Sequence, residues 1–203
     1  MNRIENASDS CRTIASGVPV ENLRRVWRAG DGSSICMRSI EPSDLELERH
    51  FVERLSGESR YMRLMSGRMP SEAEMIRWTR IDRRREGALV VTIAAGARER
   101  LIGVARYAMI EGTSDMGECA IVIDDAWHRH GLGRRLLASL IELATRSGVK
   151  RLLGTTLSEN IAMLGLARKL GFAVSRAPEM ASIMNLSLDL TGQCLVRGEL
   201  DRA

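Results

Sequence analysis

Along the chain the apolar positions switch between a period of two and a period near 3.6, and the switches divide it into strands and helices. Ile35 to Ile40 alternates as a strand. Pro42-Ser43-Asp44 then opens a helix with Leu45, Leu47, Phe51, Val52 and Leu55 as candidate core positions. Ser59 to Met65 reads as a second short helix, and Ser71 with Glu74 forms a capping box for a third that carries Met75, Ile76 and Trp78. Ala88 to Ala94 and Leu101 to Ile110 flank a short charged turn, which is a hairpin pattern. A second turn, Glu111 to Asp115, leads into an apolar β-branched strand, Gly117 to Asp124.

Beyond that strand the period lengthens. Leu136 to Ala144 repeats at helical spacing up to Gly148, Lys150 to Leu157 is another strand, and Asn160 to Leu170 is a helix closed by Gly171. Phe172 to Ser175 and Ser182 to Leu188 finish as a strand pair. The meander in the middle argues against a doubly wound sheet and for an α/β (mixed α+β) fold, with about seven strands, mostly antiparallel, and helices on both faces. Residues 33–190 form this domain. Residues 1–32 read as an N-terminal arm with a short helix over Val20 to Trp27, and 191–203 as a tail.

Between the apolar strand and the long helix lies Trp127 to Arg135, WHRHGLGRR. A strand, a glycine loop and a helix in that order leave backbone N–H groups unpaired at the helix start, where an anion can sit. Gly131 and Gly133 let backbone approach a large anion closely, and Arg129, His130, Arg134 and Arg135 add positive charge. The same glycines also suit a plain tight turn. The loop is neither a P-loop nor the dinucleotide pattern G-x-G-x-x-G, because position 136 is Leu136.

Composition narrows the classes. The chain has 203 residues, 44% hydrophobic and 28% charged, as one globular domain requires. A net charge of +4 suits a phosphate-bearing ligand, while an aromatic fraction of 3% offers few stacking platforms for nucleic acid, which is not expected as a partner. Cys11, Cys36, Cys119 and Cys194 are far apart and without C-x-x-C pairing, so they read as free thiols rather than metal ligands or a disulfide framework. With no apolar leader core and no membrane-length run, the sequence reads as a cytoplasmic protein, monomer or homodimer.

The meander, then W-x-x-x-G-L-G-R-x-L-L over Trp127 to Leu137, then Ser158-Glu159-Asn160 ahead of a helix ending A-R-K-L-G-F, together resemble the GNAT superfamily of acyl-coenzyme A-dependent N-acyltransferases. The likeness spans about Ile35 to Leu188. Glu58 to Arg63, Ile81-Asp82 with Ala88-Leu89-Val90, and Asn160 to Phe172 are similar to the acetyltransferase domain of bacterial protein lysine acetyltransferases. The resemblance implies acetyl-coenzyme A as co-substrate, its pyrophosphate held by backbone around Arg129, His130, Gly131, Leu132, Gly133 and Arg134. It implies a pantetheine arm lying between the Gly117–Asp124 and Lys150–Leu157 strands, beside Ile121, Val122 and Ile123. Asn160 matches the family's coenzyme-contacting asparagine; it also reads as a helix N-cap. In two places the chain departs from the family pattern: His128 stands where Gln or Arg is usual, followed by Arg129 instead of a small residue, and Ala167 replaces the tyrosine that protonates the leaving thiolate in many members.

Acetyl transfer to a lysine-like amine needs the neutral amine, which at pH 7 costs about 4.6 kcal/mol to form. Glu118 matches the family's glutamate base and shares a strand face with Ala120 and Val122, while Cys119, Ile121 and Ile123 take the other face. As a weak base it would act through water or with a pKa raised by burial; the alternative is an ordinary exposed strand residue. His128 and His130 belong to the phosphate loop, His50 reads as a solvated helix position, and Cys119 is turned away from Glu118. Arg60, Arg63 and Arg68 could flank an acceptor groove, although a solvated helix face is the stronger reading. Met62, Met65 and Met163 read as core packing. The acceptor expected is a protein lysine, the alternatives being a small amine (amino acid, polyamine or aminoglycoside) or a non-catalytic acyl-coenzyme A sensor.

Overall fold

The computed structural model describes residues 23–96 and 98–191. Most of the expected arm (1–22) and the tail from 192, with Cys11 and Cys194, lie outside the described residues. In chain order the elements are β1 (Arg25–Arg28), β2 (Ser34–Ser39), α1 (Leu45–Arg54), α2 (Gly57–Leu64), α3 (Glu72–Thr79), β3 (Glu86–Ala95), β4 (Arg98–Met109), β5 (Met116–Ile123), α4 (Leu132–Arg146), β6 (Arg151–Leu157), α5 (Ile161–Lys169), β7 (Ala173–Arg176) and β8 (Ile183–Asp189). They build one eight-stranded sheet in the order β1-β2-β3-β4-β5-β6-β8-β7. Every neighbouring pair is antiparallel except β5 with β6.

The strand beyond the expected seven is β1, where the sequence predicts a helix. Tertiary contacts override the local preference. Arg25 donates to Ser139 Oγ at 2.9 Å and pairs with Glu142 at 2.6 Å, both on α4, and the Arg135 guanidinium lies over the Trp27 ring at 5.5 Å. Alternation thus turns Arg25 and Trp27 toward α4 and leaves Val26 60% exposed.

The two faces of the sheet carry separate cores. On one, Leu136, Leu137, Leu140 and Leu143 of α4 and Leu164 and Ala167 of α5 pack with Leu89, Val91, Tyr107 and Cys119. On the other, Phe51, Val52 and Leu55 cover Ala88, Val90, Leu101 and Val104. The helix before this second core starts from a 3₁₀ turn, Pro42–Asp44, in which buried Asp44 accepts both Arg38 guanidinium nitrogens at 2.7 Å and the Glu41 N–H at 2.8 Å. Of the methionines expected inside, Met163 packs against the first core, whereas Met65 is 37% exposed because it ends α2 in a left-handed conformation, φ 49°.

Gly87 is where the larger core tolerates least. A Cβ there would lie 2.8 Å from Leu143 Cδ2 and closer still to the Tyr107 ring, whose hydroxyl is held by Ser147. Gly87→Ala should therefore lower stability by about 1–3 kcal/mol, the usual range for overpacking, in urea denaturation. An unchanged midpoint would mean that the ring has room to move.

Candidate active site

The one parallel pairing in the sheet is short. Met116, Gly117 and Glu118 of β5 pair with Arg151, Leu152 and Leu153 of β6, and there the ladder stops. Further along, β5 bonds only to β4 (Cys119 with Tyr107 through Ile123 with Gly103), and β6 only to β8 (Gly154 with Leu186 through Leu157 with Ile183). Each strand thus presents a free edge to a wedge that opens beyond Glu118 and Leu153. At its apex a Cβ on Gly154 would come within 3.2 Å of the Cys119 carbonyl oxygen, so a glycine lets the backbones approach before they part.

The wedge leads to the glycine loop. After β5, buried Asp124 accepts the Ala126 N–H at 3.1 Å to start a 3₁₀ turn, and Trp127 anchors that turn in the core. His128 Nε2 meets the Ile123 carbonyl at 3.1 Å, and His130 Nδ1 meets the His128 carbonyl at 2.8 Å. Both histidines therefore fold the loop back on itself. Arg129 and Gly131 take left-handed torsions, φ 62° and 75°, and aim the start of α4 at the wedge. For Arg129 that conformation costs about 1 kcal/mol. Among the described residues no side chain caps α4. The first-turn amides of Leu132, Gly133 and Arg134 thus have no acceptor within the helix. Gly133 lies under Leu166 and Ile123, which a Cβ would approach at 3.4 and 4.0 Å. Such amides and the helix dipole, with Arg129 and Arg134 in the same turn, can receive an anion such as a diphosphate, and an extended slot lies beside them.

The model of the acetyltransferase (GNAT) family matches residues 51–172, more than half of the chain. The chain belongs to the GNAT acetyltransferase family. Acetyltransferase PA5475 of Pseudomonas aeruginosa is 31% identical over 182 residues, 88% of this chain and 94% of that protein. Among solved structures, the GNAT domain of S. lividans PAT superposes with a TM-score of 0.71 at 23% identity, covering 82% of this chain and 96% of that one. The structure of yncA from Salmonella typhimurium, which holds acetyl-CoA, gives 0.62 at 21% identity over 79% of this chain and 96% of that one. The protein is thus an acetyl-coenzyme A-dependent acetyltransferase, and the wedge and loop fit that co-substrate: a slot for an extended pantetheine and amides for its pyrophosphate.

In this GNAT chain Glu118 occupies the last paired position of β5, at the apex of the wedge, on the face opposite Cys119, Ile121 and Ile123 as alternation predicts. It is exposed, which gives water access to the carboxylate. Cys119 is buried, and burial pushes its thiol up to about 12, so it holds its proton. Asn160 caps α5, its Oδ1 accepting the Met163 N–H at 3.0 Å. Ala167 is fully buried. Arg68 pairs with Glu74 on the surface, and His50 is exposed beside Glu53, as a solvated face requires.

Arg60 and Arg63 do not follow that expectation. With Glu48, Trp78, Arg106 and Val122 they line a cavity between the three early helices and the sheet. Arg106 donates to Glu48 Oε1 at 2.9 Å and to the Trp78 carbonyl at 3.1 Å, with its guanidinium over the Trp78 ring at 5.3 Å. Burial raises the Glu48 carboxyl above its ordinary range despite Arg106, and lowers Arg63 to about 10. Sequence reasoning passed over Glu48 and Arg106. The signal was there: Glu48, Val52 and Leu55 share one helix stripe, and Arg106 shares a strand face with Val104. The start of α2 is tied to the segment before the glycine loop through Asp125, which accepts from the Ser56 N–H and Oγ at 2.9 Å and from Ser59 Oγ at 2.6 Å. Burial alone would raise the Asp125 carboxyl, but these bonds hold it below its ordinary range.

Coenzyme A should raise the melting temperature of the wild type, as a ligand of the folded state does. Aspartate tolerates the left-handed region, and nothing lies within 4 Å of a Cβ at Gly131. Gly131→Asp should therefore fold, at a cost of about 1 kcal/mol for the left-handed torsion, yet lose that shift by placing a carboxylate against the diphosphate. An equal shift in the variant, read by differential scanning fluorimetry, would move the phosphate seat elsewhere.

Proposed function

We propose that this acetyltransferase transfers its acetyl group by direct attack of a primary amine, most suitably a protein lysine side chain, with Glu118 as general base. The observation that carries the reading is the position of Glu118 at the point where β5 and β6 part. A thioester at the end of a pantetheine lying in the wedge, held by Ile121, Val122 and Ile123 on one side and by the loop from Arg129 to Arg134 on its diphosphate, would arrive beside this carboxylate. The Asn160 side chain, at the start of α5, supports the coenzyme from the β6 side in this reading.

Acetyl-coenzyme A supplies an activated acyl group. The chain supplies the rest. The β5 edge orients the arm, the α4 amides neutralise its phosphates, and Glu118 removes the proton that makes the acceptor amine unreactive at pH 7. Because the carboxylate is exposed, a water molecule can relay that proton. The buried thiol of Cys119 argues for direct attack over a covalent acetyl-enzyme. Ala167 offers no proton to the departing thiolate.

Lysine as acceptor is supported by the likeness of Glu58 to Arg63 and of Asn160 to Phe172 to lysine acetyltransferase domains. The arginines around the cavity disfavour polyamines and aminoglycosides, which require carboxylates for recognition.

Glu118→Gln keeps the shape and removes the base. With a lysine peptide at pH 7, kcat should fall by about 100-fold or more while coenzyme binding is unchanged. The deficit should shrink as pH rises toward the acceptor's own pKa, where solvent supplies the neutral amine. An undiminished kcat, with chemistry rate-limiting, would assign the base elsewhere.

A further inference from the structure

The cavity between the early helices and the sheet, which Val122 of β5 also lines, holds more polar capacity than the fold uses. Glu48 is 3% exposed and bonds Arg106 through Oε1, yet its Oε2 is buried with no hydrogen-bond partner among the described residues. An unpaired buried carboxylate oxygen is costly and rare in a folded protein. The Arg63 guanidinium lines the same space and makes no hydrogen bond or ion pair among the described residues, although burial disfavours its charge. Arg60 completes the wall, and one of its guanidinium nitrogens donates to the Leu55 carbonyl at 3.2 Å. Three arginines and one carboxylate therefore line a space whose other walls are apolar, among them Phe51, Leu64, Trp78 and Val122.

Within that lining the guanidinium groups outnumber the carboxylate, an excess that an apolar group would leave uncompensated. The charges of Glu48 in the cavity and of Glu118 on β5 both favour the Arg63 cation. Helix α2, which carries Arg63, lies against β5 and β6. Asp125 pins the start of that helix to the segment leading into the phosphate loop.

We propose that this cavity recognises a carboxylate carried by the acceptor, with Arg63 as its principal ligand. The inference rests on the reading of the Glu118 face as the acceptor side. The carboxylate forms charge-assisted bonds to the free guanidinium of Arg63, flanked by Arg60. Glu48 is left to hold Arg106 through Oε1 and to meet a polar hydrogen of the acceptor through Oε2. Two sources present this chemistry: the α-carboxylate of a free amino acid, and an acidic side chain next to the target lysine in a peptide.

The test needs no turnover. Calorimetry with the coenzyme A-loaded protein compares N-acetyl amino acids with their carboxamides, and acetyl-lysine peptides carrying a neighbouring Glu with the same peptides carrying Gln. The carboxylate member of at least one pair should bind about tenfold tighter or more. The preference should vanish in Arg63→Ala and survive in part in Arg63→Lys, with thermal melting showing both variants folded. A preference confined to the amino acids identifies the first source, and one confined to the peptides the second. Equal binding within every pair, or a preference untouched by Arg63→Ala, overturns the proposal. Acetyl transfer to amines assayed alongside separates the two readings: transfer without carboxylate discrimination sinks only the cavity assignment, whereas absent transfer counts against the function of Glu118.

Discussion

The structure depends on one broken ladder. Among the described residues β5 and β6 are the only parallel neighbours in the sheet, and they pair over Met116–Glu118 and Arg151–Leu153 before they part. A strand that stops pairing leaves a row of donors and acceptors without partners, which folded proteins normally cover or blunt. Here both strands stay rigid because each remains fully paired on its far side, β5 to β4 and β6 to β8. The open edges are thus held apart by the sheet itself, and a ligand with an extended amide-bearing arm can complete what the fold leaves unfinished.

The other parts of the site follow from where that break lies. β5 ends close to the glycine loop, so α4 starts at the mouth of the wedge with uncapped amides. The loop keeps this aim through the His128 and His130 contacts to backbone carbonyls and through two departures into left-handed torsions, at Arg129 and Gly131. On the opposite face, α2, which carries Arg63, lies against β5 and β6, and the Asp125 bonds to Ser56 and Ser59 tie that helix to the same loop. The glycine loop and α2 are thus joined through one short stretch of backbone.

Much of this was legible in the sequence for physical reasons. Long apolar periods gave the strands and the two late helices, and the spacing of Ser71 and Glu74 announced a capping box that forms. The glycine loop could be placed because strand, loop and helix follow one another directly. What stayed hidden depended on distant partners. β1 was read as helix because its strand character comes from Ser139, Glu142 and Arg135 on a helix far along the chain. Arg63 was read as solvated because nothing local says that Glu48 and Arg106 will enclose it. Even so, a charge at Glu48 within the apolar stripe of α1 was a visible irregularity, and it marks the cavity. The parting of β5 from β6 has no signature of its own in either strand; it came only from the family resemblance.

Hydrogen exchange on the whole protein, with and without coenzyme A, tests the wedge most directly. If the coenzyme arm completes the open edge, the added protection should concentrate in residues 119–123 of β5 and 130–134 of the loop, with β2 and β3 unchanged. Protection spread evenly over the sheet, or confined to α1 and α3, would contradict the account.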